Sequence, residues 1–106
     1  MKIAIPTNDG NNIFPKMLGQ AKEFQIYEFE NNKIRFIEKR NNPFEKTLQP
    51  LKTLDVYDII SDCGIIISHI IGKKGIERLA ERGLKLIFEK GKISDSLKNL
   101  AGGKNV

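Results

Sequence analysis

An α/β domain built on a mixed sheet is the fold class the sequence predicts, and three observations predict it. Short apolar runs of strand length alternate with stretches whose apolar residues recur at helical spacing. One pair of strand-like runs is joined by Asn31-Asn32, a turn pair suited to a hairpin. The triplet Ile65-Ile66-Ile67 is apolar on both faces and too short for a helix, as expected of a strand covered on both sides.

In chain order, residues 2–6 read as a short buried strand that runs straight into the polar, turn-forming loop Thr7-Asn8-Asp9-Gly10. Residues 24–30 and 33–39 read as the hairpin, because asparagine tolerates the positive φ that a type I′ turn needs at both central positions. Counting back from the turn pairs Phe29 with Ile34 and Tyr27 with Phe36 on one face. Glu28 then meets Arg35, and Ile26 meets Ile37, on the other. The aromatic face is expected to point into the core.

Asn41-Asn42-Pro43-Phe44 ends the pattern, since proline restricts its neighbour and cannot donate to a ladder, and a loop follows through residue 50. From residue 51 the spacing is helical, with Val56, Ile59, Ile60 and Cys63 on one stripe ended by Gly64. After the isoleucine strand, Ile76, Leu79 and Ala80 mark a helix from about residue 73 to Gly83, and residues 84–88 form another strand. Ser94 is expected to cap a last helix with Asp95 in its first turn and Ile93, Leu97, Leu100 and Ala101 on a shared face. The order is strand, hairpin, helix, strand, helix, strand, helix. Residues 1–101 make a single domain and residues 102–106 a frayed tail.

The 106 residues are enough for one buried core, and 40% apolar with 29% charged residues is an ordinary globular composition. The single cysteine, Cys63, rules out an internal disulfide and a cysteine cage made by one chain. No run approaches the roughly 18 apolar residues of a membrane span, so the expected address is the cytoplasm. A net charge of +5 suits an anionic partner, whether nucleic acid, an anionic cofactor or an acidic protein surface, and equally a solvated lysine-rich exterior.

Several landmarks recur in a fixed order: Met1-Lys2-Ile3-Ala4-Ile5-Pro6-Thr7-Asn8-Asp9-Gly10, Leu18-Gly19-Gln20-Ala21 before Phe24-Gln25-Ile26-Tyr27, Asn41-Asn42-Pro43, Asp62-Cys63-Gly64, and Ile71-Gly72-Lys73-Lys74-Gly75 followed by Gly83-Leu84-Lys85-Leu86. Over nearly the whole chain this order resembles the dinitrogenase iron-molybdenum cofactor biosynthesis family, the NifX-like domains with a ribonuclease H-like motif. The resemblance implies a five-stranded mixed sheet with flanking helices, the first strand lying beside the fourth. It also implies a small, non-enzymatic protein that binds or carries iron-molybdenum cofactor or an iron-sulfur precursor and passes it to an acceptor protein. Members often carry His-Phe-Gly where this chain has Met17-Leu18-Gly19, and a histidine often seen after the hairpin has no counterpart between Asn41 and Lys52. His69 is the only histidine.

If the first and fourth strands are parallel neighbours, the crevice at their carboxyl ends is a topological switch point, where open α/β sheets bind ligands. The loops meeting there are residues 7–19 and 68–75. The candidate cofactor-binding residues are Thr7, Asn8, Met17, Gly19, His69, Gly72, Lys73 and Lys74. The helix start near Lys73 offers free N–H groups and two ammonium groups to an anionic metal cluster or another small anion. His69 supplies a borderline nitrogen and Met17 a soft sulfur, so these two are the candidate metal ligands, and a second copy in a homodimer could supply more. The plainer readings are a hydrogen-bonded histidine at a strand end, a methionine that fills space, turn-forming Asn8 and Asp9, and a buried, inert Cys63.

A two-metal nuclease would need carboxylates converging at the sheet centre, and residues 2–6 carry none. One histidine without a nucleophile elbow leaves no hydrolase dyad. Nucleic acid is not the expected partner. The alternative to a carrier is a small protein- or RNA-interaction domain, which would display Tyr27, Phe29 and Phe36 on an open sheet face.

Overall fold

The computed structural model describes residues 1–43 and 56–102. β1 (Lys2–Thr7) leads through a 3-10 turn (Leu18–Gln20) to the hairpin of β2 (Glu23–Glu30) and β3 (Lys33–Asn41). A helical stretch at residues 56–59 (α1) precedes β4 (Ile65–Ser68), α2 (Lys73–Glu81), β5 (Lys85–Phe88) and α3 (Ile93–Ala101). The expected loop through residue 50, the start of the helix at residue 51 and residues 103–106 of the tail lie outside the described residues.

The strands form one sheet in the order β3-β2-β1-β4-β5. β1 runs parallel to β4, and β4 to β5, while β1, β2 and β3 are antiparallel. This is the mixed five-stranded sheet expected, with the first strand beside the fourth. Two apolar layers flank it. Ala4, Ile26 and Ile66 pack with Val56, Tyr57 and Ile60 around α1 and Leu79 of α2. On the opposite face Ile3, Ile5, Ile65, Ile67 and Ile87 pack beneath Ile93 and Leu100 of α3. Burial on both faces explains why the β4 isoleucines show no alternation. Among the described residues no helix is long and apolar enough to cross a membrane.

Asn31 and Asn32 take φ values of 53° and 62°, and the pairs Phe29–Ile34, Tyr27–Phe36 and Glu28–Arg35 form as the turn predicts. Beyond them the register shifts. Ile26 faces Glu38 rather than Ile37, because a bulge between Ile26 and Tyr27 lifts Ile37 out of the ladder. Ile37 packs against the α1 and α2 layer instead. The aromatic face also departs from expectation. Tyr27, Phe29 and Ile34 are only partly buried, and Phe36 is 53% exposed with its ring edge-on to Tyr27 at 5.6 Å. Ile93 and Leu100 of α3 are buried with β1, β4 and β5, while Tyr27, Phe29 and Ile34 pack at the margin of that layer where α3 approaches β3, and Phe36 lies beyond it.

Ser94 is not the cap of α3. Ile93 donates its N–H to the Asn11 carbonyl at 3.0 Å, so the helix starts at Ile93 after Lys92, with Ser94 and Asp95 both inside the first turn. α2 ends where expected: Gly83 has φ +81°, and Leu84 donates to the Leu79 carbonyl at 3.1 Å.

β3 is fastened to the region after α1 by Arg40. Its guanidinium grips Asp62 through two bonds of 2.6 and 2.9 Å and donates to the Ile59 carbonyl at 2.7 Å. Lys2 adds a 3.2 Å contact to the same carboxylate. The Arg40 hydrogen bonds, helped by Lys2, hold the Asp62 carboxyl well below its ordinary 3.8. A depressed folded-state pKa stabilises the protein above the unfolded value and loses that effect as pH falls through and below it. The native chain should therefore lose stability faster than Asp62→Asn as pH drops below about 4, so that the two melting curves converge in acid. Urea titrations at pH 6 and at about pH 3 check this; a constant gap would contradict it.

Candidate functional site

Two loops meet at the carboxyl ends of β1 and β4. The first leaves Thr7, which is fully buried and donates its hydroxyl to the Asn12 carbonyl at 2.6 Å while accepting from the Gly10 N–H at 3.0 Å. Asp9 accepts from the N–H groups of Asn11 and Asn12 at 2.8 Å each and from the Asn12 amide at 2.9 Å. Those bonds, the Asn12 ones foremost, hold its carboxyl far below the usual range. Asn8 accepts the Lys22 N–H at 2.7 Å. Thr7, Asn8 and Asp9 thus direct their polar groups into the loop itself and shape it.

The same loop then crosses to β4. Met17 forms a parallel bridge with Ile70, and the Leu18 N–H donates to the Ile70 carbonyl at 2.9 Å. The 3-10 turn that follows is held by buried Asn42, whose side-chain amide donates to the carbonyls of Gly19 at 3.0 Å and Ala21 at 2.8 Å. The Asn42 N–H itself bonds to Lys22 O at 3.0 Å. This stapled turn sets Met17 over the start of α2: a Cβ on Gly72 would stand 2.8 Å from the Met17 methyl.

Gly72 caps α2 without a side chain, and no acidic residue lies in the first turn. The first intrahelical bond runs from the Ile76 N–H to the Gly72 carbonyl at 2.9 Å, so the amides of residues 73–75 lack intrahelical acceptors. Lys73 and Lys74 are exposed beside them. His69, one residue before the bridged Ile70, is partly buried and makes no hydrogen bond or ion pair among the described residues.

Of the expected site residues, Met17 lies against Gly72 at the start of α2, Lys73 and Lys74 open that helix, and His69 stands at the end of β4 one residue before the bridged Ile70. Gly19 lies in the adjoining turn, and Thr7 and Asn8 shape the loop. Among the described residues no three of His, Cys, Asp and Glu come together as a metal cage. Cys63 is buried, and desolvation pushes its thiol up to about 11, the opposite of what a ligand or nucleophile needs.

Two features escaped sequence reasoning. One is a set of exposed apolar side chains on the elements that meet here. Phe88 is paired with Ser68 in the sheet, Ile70 with Met17, and Ile76 sits one turn into α2, and all four apolar side chains are 36–52% exposed. The other is a groove of about 460 Å³ between Gly10, Asn12, Tyr27, Lys92, Ser94 and Leu97. It exists because the first loop also bonds to the chain after β5, Ile13 donating to Gly91 at 2.8 Å. No local sequence signal marks either contact, since both join segments far apart in the chain.

Comparison with known proteins places this geometry. The family model described as dinitrogenase iron-molybdenum cofactor matches residues 1–103. Among solved structures, the protein PH0822 superposes with a TM-score of 0.82 at 27% identity, over 97% of this chain and 90% of that one. The apo form of the orange protein from Desulfovibrio gigas gives a TM-score of 0.77 at 16% identity, over 97% and 88% of the two chains. A candidate dinitrogenase from Methanocaldococcus jannaschii gives 0.69 at 14% identity, over 100% and 92%. The last two likenesses carry the fold alone. No curated protein matches the sequence.

Proposed function

The chain belongs to the dinitrogenase iron-molybdenum cofactor family, and from that premise we propose that it holds an anionic metal cluster, iron-molybdenum cofactor or an iron-sulfur precursor, at the cleft between residues 16–19 and 69–75, and releases it unchanged to an acceptor protein. The observation that carries this reading is the bridge between Met17 and Ile70, which joins two loops far apart in sequence beside His69 and the uncapped start of α2.

The donor set fits such a cargo in a specific way. The metals of a cluster are already linked by sulfide, so the protein need supply only a few terminal ligands. An imidazole nitrogen and a thioether suit iron and softer metals better than magnesium or calcium. Lys73 and Lys74 stand in a first helical turn, where positive charge opposes the helix dipole by roughly 0.3–1 kcal/mol. An anion bound there would offset that cost and meet the free amides of the turn. In this reading the residues hold and neutralise the cargo.

Titration of anaerobically purified protein with isolated iron-molybdenum cofactor, followed by metal analysis, tests the reading. His69→Ala and Met17→Ala should each weaken uptake at least about tenfold, which corresponds to about 1.4 kcal/mol. Equal uptake by all three chains would remove the proposed ligands, and no uptake by the native chain would remove the cargo. A second reading, an RNA- or protein-interaction domain, draws support from the 53% exposure of Phe36 beside Tyr27. It predicts instead that Phe36→Ala, with cluster uptake unchanged, abolishes binding of single-stranded RNA or of a protein partner.

A further inference from the structure

We infer that the groove between the first loop and α3 is a separate binding site, and that its ligand is a nucleoside monophosphate. Its two walls are fastened to each other: Asn12 forms an antiparallel bridge with Lys92, Ile13 donates to the Gly91 carbonyl at 2.8 Å, and Ile93 donates to the Asn11 carbonyl at 3.0 Å. Tyr27, which also lines the groove, is fixed in place. Its hydroxyl donates to Gln25 Oε1 at 2.5 Å, and its ring meets Phe36 edge-on at 5.6 Å. The space of about 460 Å³ is therefore preformed, and it falls within the roughly 300–1,000 Å³ of small-molecule pockets.

The lining selects the ligand. Lys92 makes no ion pair among the described residues, and no acidic side chain lines the groove, so its ammonium is available to an anion. The carboxylate of Asp9, in the same loop, is bonded to Asn11 and Asn12. The Asn11 side chain and the Ser94 hydroxyl make no hydrogen bond among the described residues, and Asn12, whose amide N–H goes to Asp9, keeps its side-chain carbonyl. Side-chain amides set donors and acceptors side by side, which matches the edge of a nucleobase. Tyr27 and Leu97 supply aromatic and apolar surface for the base itself. Inorganic phosphate would leave that surface wet, and a neutral ring would leave Lys92 without a partner. A base joined to a phosphate engages both.

Titration of the nitrogen-15 labelled full chain with adenosine, guanosine, cytidine and uridine monophosphates, and separately with the nucleosides and with inorganic phosphate, tests this. Amide shifts should centre on residues 10–12, 27 and 92–97, and the tightest nucleotide should bind at least about tenfold more tightly than its nucleoside or inorganic phosphate. Ser94 is exposed in the first turn of α3, where a carboxylate favours the helix, so Ser94→Glu keeps the fold and places a negative charge in the groove. It should weaken nucleotide binding at least about tenfold and leave nucleoside binding unchanged. Shifts centred elsewhere, no shifts at about 5 mM nucleotide, inorganic phosphate bound as tightly as nucleotide, or Ser94→Glu binding nucleotide like the native chain would each overturn the site.

Discussion

Gly75→Ala should be among the most destabilising single-methyl additions in this protein. A Cβ at residue 75 would stand 2.5 Å from Tyr57 Cζ, closer still to its hydroxyl oxygen, and 3.0 Å from Ile71 Cγ2. Tyr57 is 3% exposed and packed in the α1 and α2 layer, so its ring has nowhere to retreat. Overpacking of this kind costs about 1–3 kcal/mol, and direct overlap with a rigid ring points to the upper end. At roughly 4–8 °C per kcal/mol for a domain of this size, the thermal midpoint should fall by about 10 °C or more. In a Tyr57→Leu background the same substitution should cost less than about 1 kcal/mol, because the ring is gone. An equal loss in both backgrounds would show that the close approach of α2 to Tyr57 is not what demands glycine.

Asn42→Ala should cost about 2–3 kcal/mol and should act on the site as well as on the fold. The substitution strips hydrogen bonds from the carbonyls of Gly19 and Ala21 at a position only 4% exposed, and each buried polar group left unpaired costs about 1–3 kcal/mol. The turn those carbonyls belong to sets Met17 against Ile70 and Gly72. Amide exchange at Leu18, whose N–H bonds to Ile70, should accelerate in Asn42→Ala beyond what global destabilisation explains. Unchanged relative protection at Leu18 would separate the staple from the cleft.

The fold was largely legible because its signals are local. Asn31-Asn32 dictated a hairpin register that holds for the pairs nearest the turn, and the β4 isoleucines announced a strand covered on both faces. The register failed at Ile37, since a bulge depends on how neighbouring strands twist and pack rather than on turn chemistry. The aromatic face departs from expectation for a related reason: periodicity shows that Tyr27 and Phe36 share a face but not how completely that face is covered. Ser94 has the chemistry of a cap, yet the Ile93 bond to Asn11 sets the start of the helix two residues earlier, after Lys92.

The candidate site was legible only as two loops. That Met17 would sit on Gly72 follows from the Met17–Ile70 bridge and the Asn42 staple, contacts across 53 and about 21–23 residues of sequence that no motif encodes. Thr7 and Asn8 were expected among the binding residues on account of their polar groups. The structure directs those groups to Asn12 and Lys22, where they build the loop that carries Met17.

The position of the cargo is open to direct measurement. In a nitrogen-15 labelled sample titrated anaerobically with isolated iron-molybdenum cofactor, paramagnetic broadening should begin at the amides of residues 16–19 and 69–75 and fade with distance from them. Broadening centred on the groove between Asn12 and Ser94, or on Phe36, would place the ligand elsewhere and contradict the cleft.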